Sequence, residues 1–191
     1  MHHIYHTEGI ILGSKNFKEA SKYFYILTRD LGLVYAEAQG IRKISSKLRF
    51  VLQDFNYLKL DFVQRKNIWR ITNAIKTNEL ENLNKDFYKL KIVANISKLL
   101  LRLLPGIEPN PTLFEEVVNG FFLLEKNNSK EELKNIEIVL VLRILSNLGY
   151  IGENFEDLTR SPFENELLGI LSQNKVKIIK EINKALRETQ L

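Results

Sequence analysis

The apolar pattern of this chain changes period once, near Asn78. Before that point, short runs alternate in twos. After it, apolar residues recur at steps of three and four. A period of two fits a strand with one buried face, and a period near 3.6 fits a helix. A chain that does one and then the other is α+β with segregated halves, here 1–78 and 79–191.

The first half shows five strand signals. Gly9–Gly13 is an apolar run between glycines, and Ser21–Thr28 is rich in aromatic and β-branched residues. Asp30-Leu31-Gly32 marks a turn before Leu33–Gln39. Tyr57–Val63 places Leu58, Leu60 and Phe62 on one face, and Ile68–Ile75 follows a polar turn at Arg65-Lys66-Asn67. Five short strands separated by turns predict a small antiparallel barrel or sandwich; closure would remove the exposed edges.

The second half reads as helices. Ile92, Ile96, Leu99, Leu100, Leu103 and Leu104 form one stripe, which Pro105-Gly106 ends. Asn110-Pro111 gives an N-cap and a first-turn proline. Ser129 with Glu132, and Ser161-Pro162 with Glu164, have capping-box spacing. Leu133–Leu148 is apolar nearly all round, which predicts a buried central helix with Gly149 as its C′ residue. Two further helices are expected at Phe163–Leu171 and Lys175–Arg187.

Charge is uneven. Residues 1–78 hold 13 Lys and Arg against 6 Asp and Glu, whereas residues 79–191 hold 15 against 17. A basic front and a near-neutral back point to a polyanion at the front. There is no cysteine, so disulfides and cysteine-ligated zinc are excluded. No apolar run approaches the ~20 residues that span a bilayer. With no signal-peptide pattern at the start, a cytoplasmic protein without membrane contact is expected.

Catalytic patterns are missing. His2, His3 and His6 are the three histidines, all at an end expected to be frayed. No phosphate loop, nucleophile elbow or close aspartate pair is present, so no enzyme, metal or cofactor is expected. What remains is the segment GIRKISSKLRF at residues 40–50. It carries Arg42, Lys43, Lys47 and Arg49 with no acid. Between two strands, it would lie at a barrel mouth. There, amides at Gly40 and the serines would donate to phosphate oxygens that the four cations neutralise. Tyr23, Tyr25 and Tyr35 are either stacking platforms for bases or barrel wall.

The order E-G-I-I-L (8–12), Y-x-x-I-L-T-R-D-L-G (23–32), A-x-G-I-R-K-x-x-S-K-L (38–48) and L-Q-D-F (52–55) resembles the N-terminal domain of the RecO family. R-L-L-P-G-x-E-P-N-P-x-L-F (102–114) and L-x-x-L-G-Y (145–150) resemble its helical domain. The resemblance implies a five-stranded antiparallel OB-fold barrel over residues 1–78, followed by an all-α domain over 79–191. It implies binding to single- and double-stranded DNA and annealing of complementary strands. It implies work with RecR and the single-stranded-DNA-binding protein to load RecA recombinase, near the nucleoid. Gly40, Arg42, Lys43, Ser46 and Lys47 match the family's basic segment, with Arg49 and Tyr35 as further DNA contacts.

The chain departs from the family in three places. Many relatives carry a four-cysteine zinc site, and this chain has no cysteine. The sequence after Gly149-Tyr150 is short, as if the segment bearing that site were missing. Asp54 stands where the family usually has proline. Relatives also bind the acidic, apolar tail of the single-stranded-DNA-binding protein. Leu113, Phe114 and Val117 are the candidates for that pocket here, with Lys134 or Arg143 as charge partners. Arg143 interrupts an apolar helix and either pairs with a carboxylate such as Glu137 or lines a pocket.

Overall fold

The computed structural model describes residues 3–66, 68–77, 80–106, 108–152, 155–161 and 166–189. His2, Asn67, Asn78, Pro162 and Glu164 lie outside them. So do parts of the expected polar turn, half boundary and second capping box. The structure divides into two compact units, residues 1–81 with 97–111, and residues 82–96 with 112–191.

Five strands form where the alternation predicts them: β1 (Ile4–Phe17), β2 (Ser21–Thr28), β3 (Gly32–Ala38), β4 (Tyr57–Arg65) and β5 (Ile68–Lys76). They close into a barrel in the order β1-β2-β3-β5-β4. This is the strand order of an OB-fold, with helices following. Neighbours are antiparallel except β3 and β5, which pair in parallel at Ala36–Trp69 and Glu37–Arg70. The exception follows from connectivity: residues 39–56 carry the chain from β3 to β4, and a tight hairpin returns it along β5.

β1 is longer than its apolar run suggests because it serves two partners. Ile4–Ile10 pairs with β4, and Gly9–Phe17 pairs with β2. At the changeover a Cβ on Gly9 would lie 2.8 Å from Ile26 Cγ2 and 3.1 Å from both the Leu27 carbonyl and Leu60 Cδ1. Only a glycine lets the strand turn this tightly over its neighbours. A register shift between Ile11 and Gly13 adds to the bend. Inside, Phe24, Ile26, Val34, Leu58, Leu60 and Phe62 fill the barrel, each at most 1% exposed. The N-terminus is not frayed from residue 4 onward, and His6 Nδ1 meets Asp61 Oδ1 at 2.7 Å.

The helices are α1 (Phe87–Leu103), α2 (Pro111–Lys126), α3 (Lys130–Asn147), α4 (Glu156–Arg160) and α5 (Glu166–Glu188). Phe87–Ile96 of α1 belongs to the second unit and Ser97–Leu103 to the first. Ser129 occupies the N-cap position of α3, but its side chain makes no capping hydrogen bond. The C-terminus of α3 follows expectation. Gly149 has φ +78°, its N–H bonds to the Ser146 carbonyl (3.0 Å), and the Tyr150 N–H bonds to Leu145 (2.8 Å). That pair of bonds is a Schellman motif. The two helices expected after residue 163 are one, α5. Ser172-Gln173-Asn174 is polar but contains no glycine or proline, and buried Leu171, Ile178, Ile182 and Ala185 continue the stripe across it.

Arg143 is the polar centre of the second unit. It is 3% exposed, and its guanidinium makes charge-assisted bonds to Glu116, Leu158 and Ser161. Nη1 meets Glu116 Oε2 at 2.6 Å, Nε meets the Leu158 carbonyl at 2.8 Å, and Nη2 meets the Ser161 carbonyl at 2.5 Å. The carboxylate partner is therefore Glu116; Glu137 accepts from Asn95 instead. A planar fork suits this task, since one cation ties α2, α3 and the end of α4 together.

Two stability tests follow. Gly32 has φ +70°, and a Cβ there would fall 2.4 Å from the Glu108 carbonyl oxygen. Gly32→Ala should destabilise the first unit by about 2 kcal/mol or more. The fluorescence of Trp69, the one tryptophan, reads that unit in urea. Arg143→Ala leaves Glu116 and two carbonyls unpaired in a largely buried place. It should cost about 3 kcal/mol in the helices, read by far-ultraviolet circular dichroism. A midpoint unmoved in either case would refute the corresponding account.

Candidate nucleic-acid interface

The basic segment leaves the barrel at the end of β3 and is fastened along its length. The Gly40 N–H bonds to Ser21 Oγ (3.3 Å), and the Arg42 N–H to the Ala20 carbonyl (2.9 Å). The Lys43 N–H returns to Gly40, and the Ser46 N–H to Lys43, each at 3.0 Å. A 3-10 turn then spans Lys47–Phe50. Val51 and Leu52 both donate to the Leu48 carbonyl, and Asn56 Nδ2 bonds to the Val51 carbonyl at 2.8 Å.

Apolar anchors hold the segment down. Ile41 and Leu52 belong to the barrel core, and Leu48 and Val51 pack against it. Burying each of the first two stabilises the attachment by about 1.5–3 kcal/mol, whereas an exposed ion pair contributes about 0–1. The cations are therefore free of structural duty. Arg42, Lys43 and Lys47 are exposed. One expectation fails here. The Gly40 amide is committed to Ser21 on β2 and the Ser46 amide to Lys43, so these two do not form a cradle for phosphate.

Arg49 behaves differently. Its guanidinium carbon lies 4.4 Å from the centre of the Phe50 ring, a cation–π contact. Phe50 itself is 63% exposed, and Ile44 at the loop tip is 86% exposed. Beside Phe50 is a cavity of about 410 Å³ lined by Lys22, Arg42, Arg49, Phe50 and Gln53, with Ile41 and Leu52 as its apolar part. Phe50 and Lys22 went unnoticed in the sequence. An aromatic directly after a basic residue in an acid-free segment was the available signal for Phe50.

The three tyrosines face outward, opposite the inward-facing Phe24, Ile26, Val34 and Ala36. Tyr35 is 37% exposed. It stacks on Tyr23 with ring centres 4.6 Å apart and contacts Tyr25 at 4.8 Å; Phe17 extends the row to Tyr23 at 4.2 Å. Lys15 Nζ sits 5.0 Å from the centre of the Tyr35 ring. The Tyr35 side chain, with a further contribution from Tyr25, holds the Lys15 ammonium above its ordinary range. The wall of the barrel thus carries an aromatic row with a cation on it.

The expected pocket in the helices is not open. Leu113, Phe114 and Val117 are fully buried and pack the core of their unit, and Arg143 is engaged as described. Lys134 is exposed. These apolar positions repeat at helical spacing because α2 needs a core face, and core and pocket share that spacing. Among the described residues, no group of three or more His, Cys, Asp or Glu is placed to hold a metal ion. No helix among them is long and apolar enough to cross a membrane.

Comparison with known proteins bears on the same two regions. The family model for the recombination protein O N terminal matches residues 1–78, and that for the recombination protein O C terminal matches residues 84–153. The chain is similar to a protein named DNA repair protein RecO from Thermodesulfovibrio yellowstonii, with 29% identity over 78% of this chain and 59% of that one. Its likeness to the protein of that name from Heliobacterium modesticaldum is 28% over 78% and 53%, and to that from Bacillus subtilis 25% over 76% and 54%. The chain thus spans a little over half the length of these curated relatives. With the family's two parts matched in order, the first on a closed barrel and the second on helices, this chain belongs to the RecO family.

Proposed function

We propose that this protein binds single- and double-stranded DNA through the basic face of its barrel and acts in DNA repair and recombination. It anneals complementary strands and helps load RecA onto DNA coated by the single-stranded-DNA-binding protein, with RecR and that protein's C-terminal tail as partners. The observation that carries the reading is the pinned loop: Ile41 and Leu52 sit in the core while Arg42, Lys43 and Lys47 stand exposed. Family membership and the relatives' shared name, DNA repair protein RecO, support it.

The mechanism is electrostatic. Each cation that neutralises a phosphate releases condensed counterions, which favours binding with little sequence preference. Neutralising two strands at once raises the local concentration of one near the other, and base pairing supplies the specificity. No hydrolysis is involved, and the protein is not an enzyme. Such a protein works at the nucleoid, in the cytoplasm.

A second reading, a simpler OB-type module for single-stranded DNA or RNA without mediator activity, is favoured by one observation. The residues expected to hold the partner's tail, Leu113, Phe114, Val117 and Arg143, are buried.

Annealing separates the two. Complementary fluorescent oligonucleotides coated with the cognate single-stranded-DNA-binding protein should anneal faster with this protein, without ATP, and less so as salt rises. Binding without acceleration would establish the simpler module. In the Arg42→Ala, Lys43→Ala, Lys47→Ala triple variant, duplex affinity should fall. The slope of log K against log salt should flatten by roughly 2–3, near 0.9 per lost phosphate contact. An unchanged slope would remove the loop from the interface.

A further inference from the structure

We propose that the cavity beside the 3-10 turn is a binding site for one unpaired nucleotide, with Phe50 as the stacking platform for its base. The proposal rests on the DNA-binding reading above and adds a specific subsite to it.

Three independent features point to this ligand. First, Phe50 is an aromatic ring left 63% exposed on an otherwise well-packed loop. The Arg49 guanidinium engages the ring at 4.4 Å, and the ring's exposure leaves surface for a second layer. Guanidinium, phenyl and base would then form a three-layer stack. Nothing in the packing of the barrel requires Phe50, since Ile41 and Leu52 already anchor the segment on both sides.

Second, the cavity has the polarity of a nucleotide. Lys22 and Arg42 supply cations for a phosphate, and Gln53 supplies an amide. The Gln53 side-chain N–H bonds to the Arg49 carbonyl, which leaves its amide oxygen to accept from a base amino group. The volume, about 410 Å³, lies at the lower end of the range for small-ligand sites, roughly 300–1,000 Å³. That volume is large enough for a single nucleotide.

Third, Arg49 Nε is shielded from solvent and has no hydrogen-bond partner among the described residues. A buried donor left unpaired is uncommon in a folded protein, because its desolvation is then uncompensated. A base carbonyl or phosphate oxygen entering the cavity would provide the acceptor.

The site discriminates by base accessibility. In a duplex each base is already stacked and paired, so only an unpaired base reaches the ring. The exposed cations Arg42, Lys43 and Lys47 serve both forms of DNA, while Phe50 serves single strands alone.

The test compares Phe50→Ala, Phe50→Trp and the triple cation variant. Each is titrated against a single-stranded oligonucleotide carrying 2-aminopurine and against a duplex of equal length. Phe50→Ala should weaken single-strand binding about five-fold or more and abolish the quenching of 2-aminopurine that stacking causes. Duplex affinity should stay within about two-fold of wild type, and Phe50→Trp should retain the quenching. The triple variant should weaken both forms. Wild-type binding and quenching in Phe50→Ala would overturn the subsite while leaving the DNA-binding reading standing. Equal losses on both forms would also overturn it. If the wild-type protein binds neither oligonucleotide, both readings fall together.

Discussion

Closure of the barrel by β1 is the constraint on which the basic and aromatic surface of the first unit depends. A strand that pairs with β2 along one half and β4 along the other leaves no free edge in the sheet. At the changeover sits Gly9, paired with both neighbours, where any side chain would meet Ile26 and Leu60. Closure also fixes which residues face in. The inward set fills the core. The outward set on β2 and β3 becomes the aromatic row of Tyr23, Tyr25 and Tyr35.

The loop between β3 and β4 illustrates how packing and electrostatics divide the work. Apolar anchors supply the attachment, and they do so without engaging Arg42, Lys43 or Lys47. A loop held by its own ion pairs would have neutralised the charge that a polyanion needs. The amides of Gly40 and Ser46 are used in fastening the loop, to Ser21 on β2 and to Lys43 within the loop, while the side chains of Arg42, Lys43 and Lys47 stand exposed.

The helical unit solves a different problem. An arginine within an almost wholly apolar helix is costly to bury unless every donor group finds a partner. Arg143 meets that condition with the Glu116 carboxylate from α2 and the Leu158 and Ser161 carbonyls from α4 and its end. The short α4 and the residue after it are held by this contact as well as by apolar packing. The sequence leaves Arg143 either paired with a carboxylate or lining a pocket; in the folded unit it is a cross-link, paired with Glu116.

Periodicity, turn residues and charge distribution made much of this protein legible. The strands at Ser21–Thr28, Tyr57–Val63 and Ile68–Ile75, the start of α2 at Pro111 and the Gly149 terminus of α3 are local features. Local sterics and alternation decide them. The acid-free segment at 40–50 was equally plain, since charge is a property of the residues themselves. Tertiary structure alone decided the rest. It gave β1 two partners and β3 a parallel neighbour, closed the sheet, and made one helix of α5. It buried Leu113, Phe114 and Val117, paired Arg143 with Glu116, and left Phe50 exposed beside a cavity. Each of these depends on which distant residues arrive nearby, and a one-dimensional pattern gives the face of an element without naming what covers it.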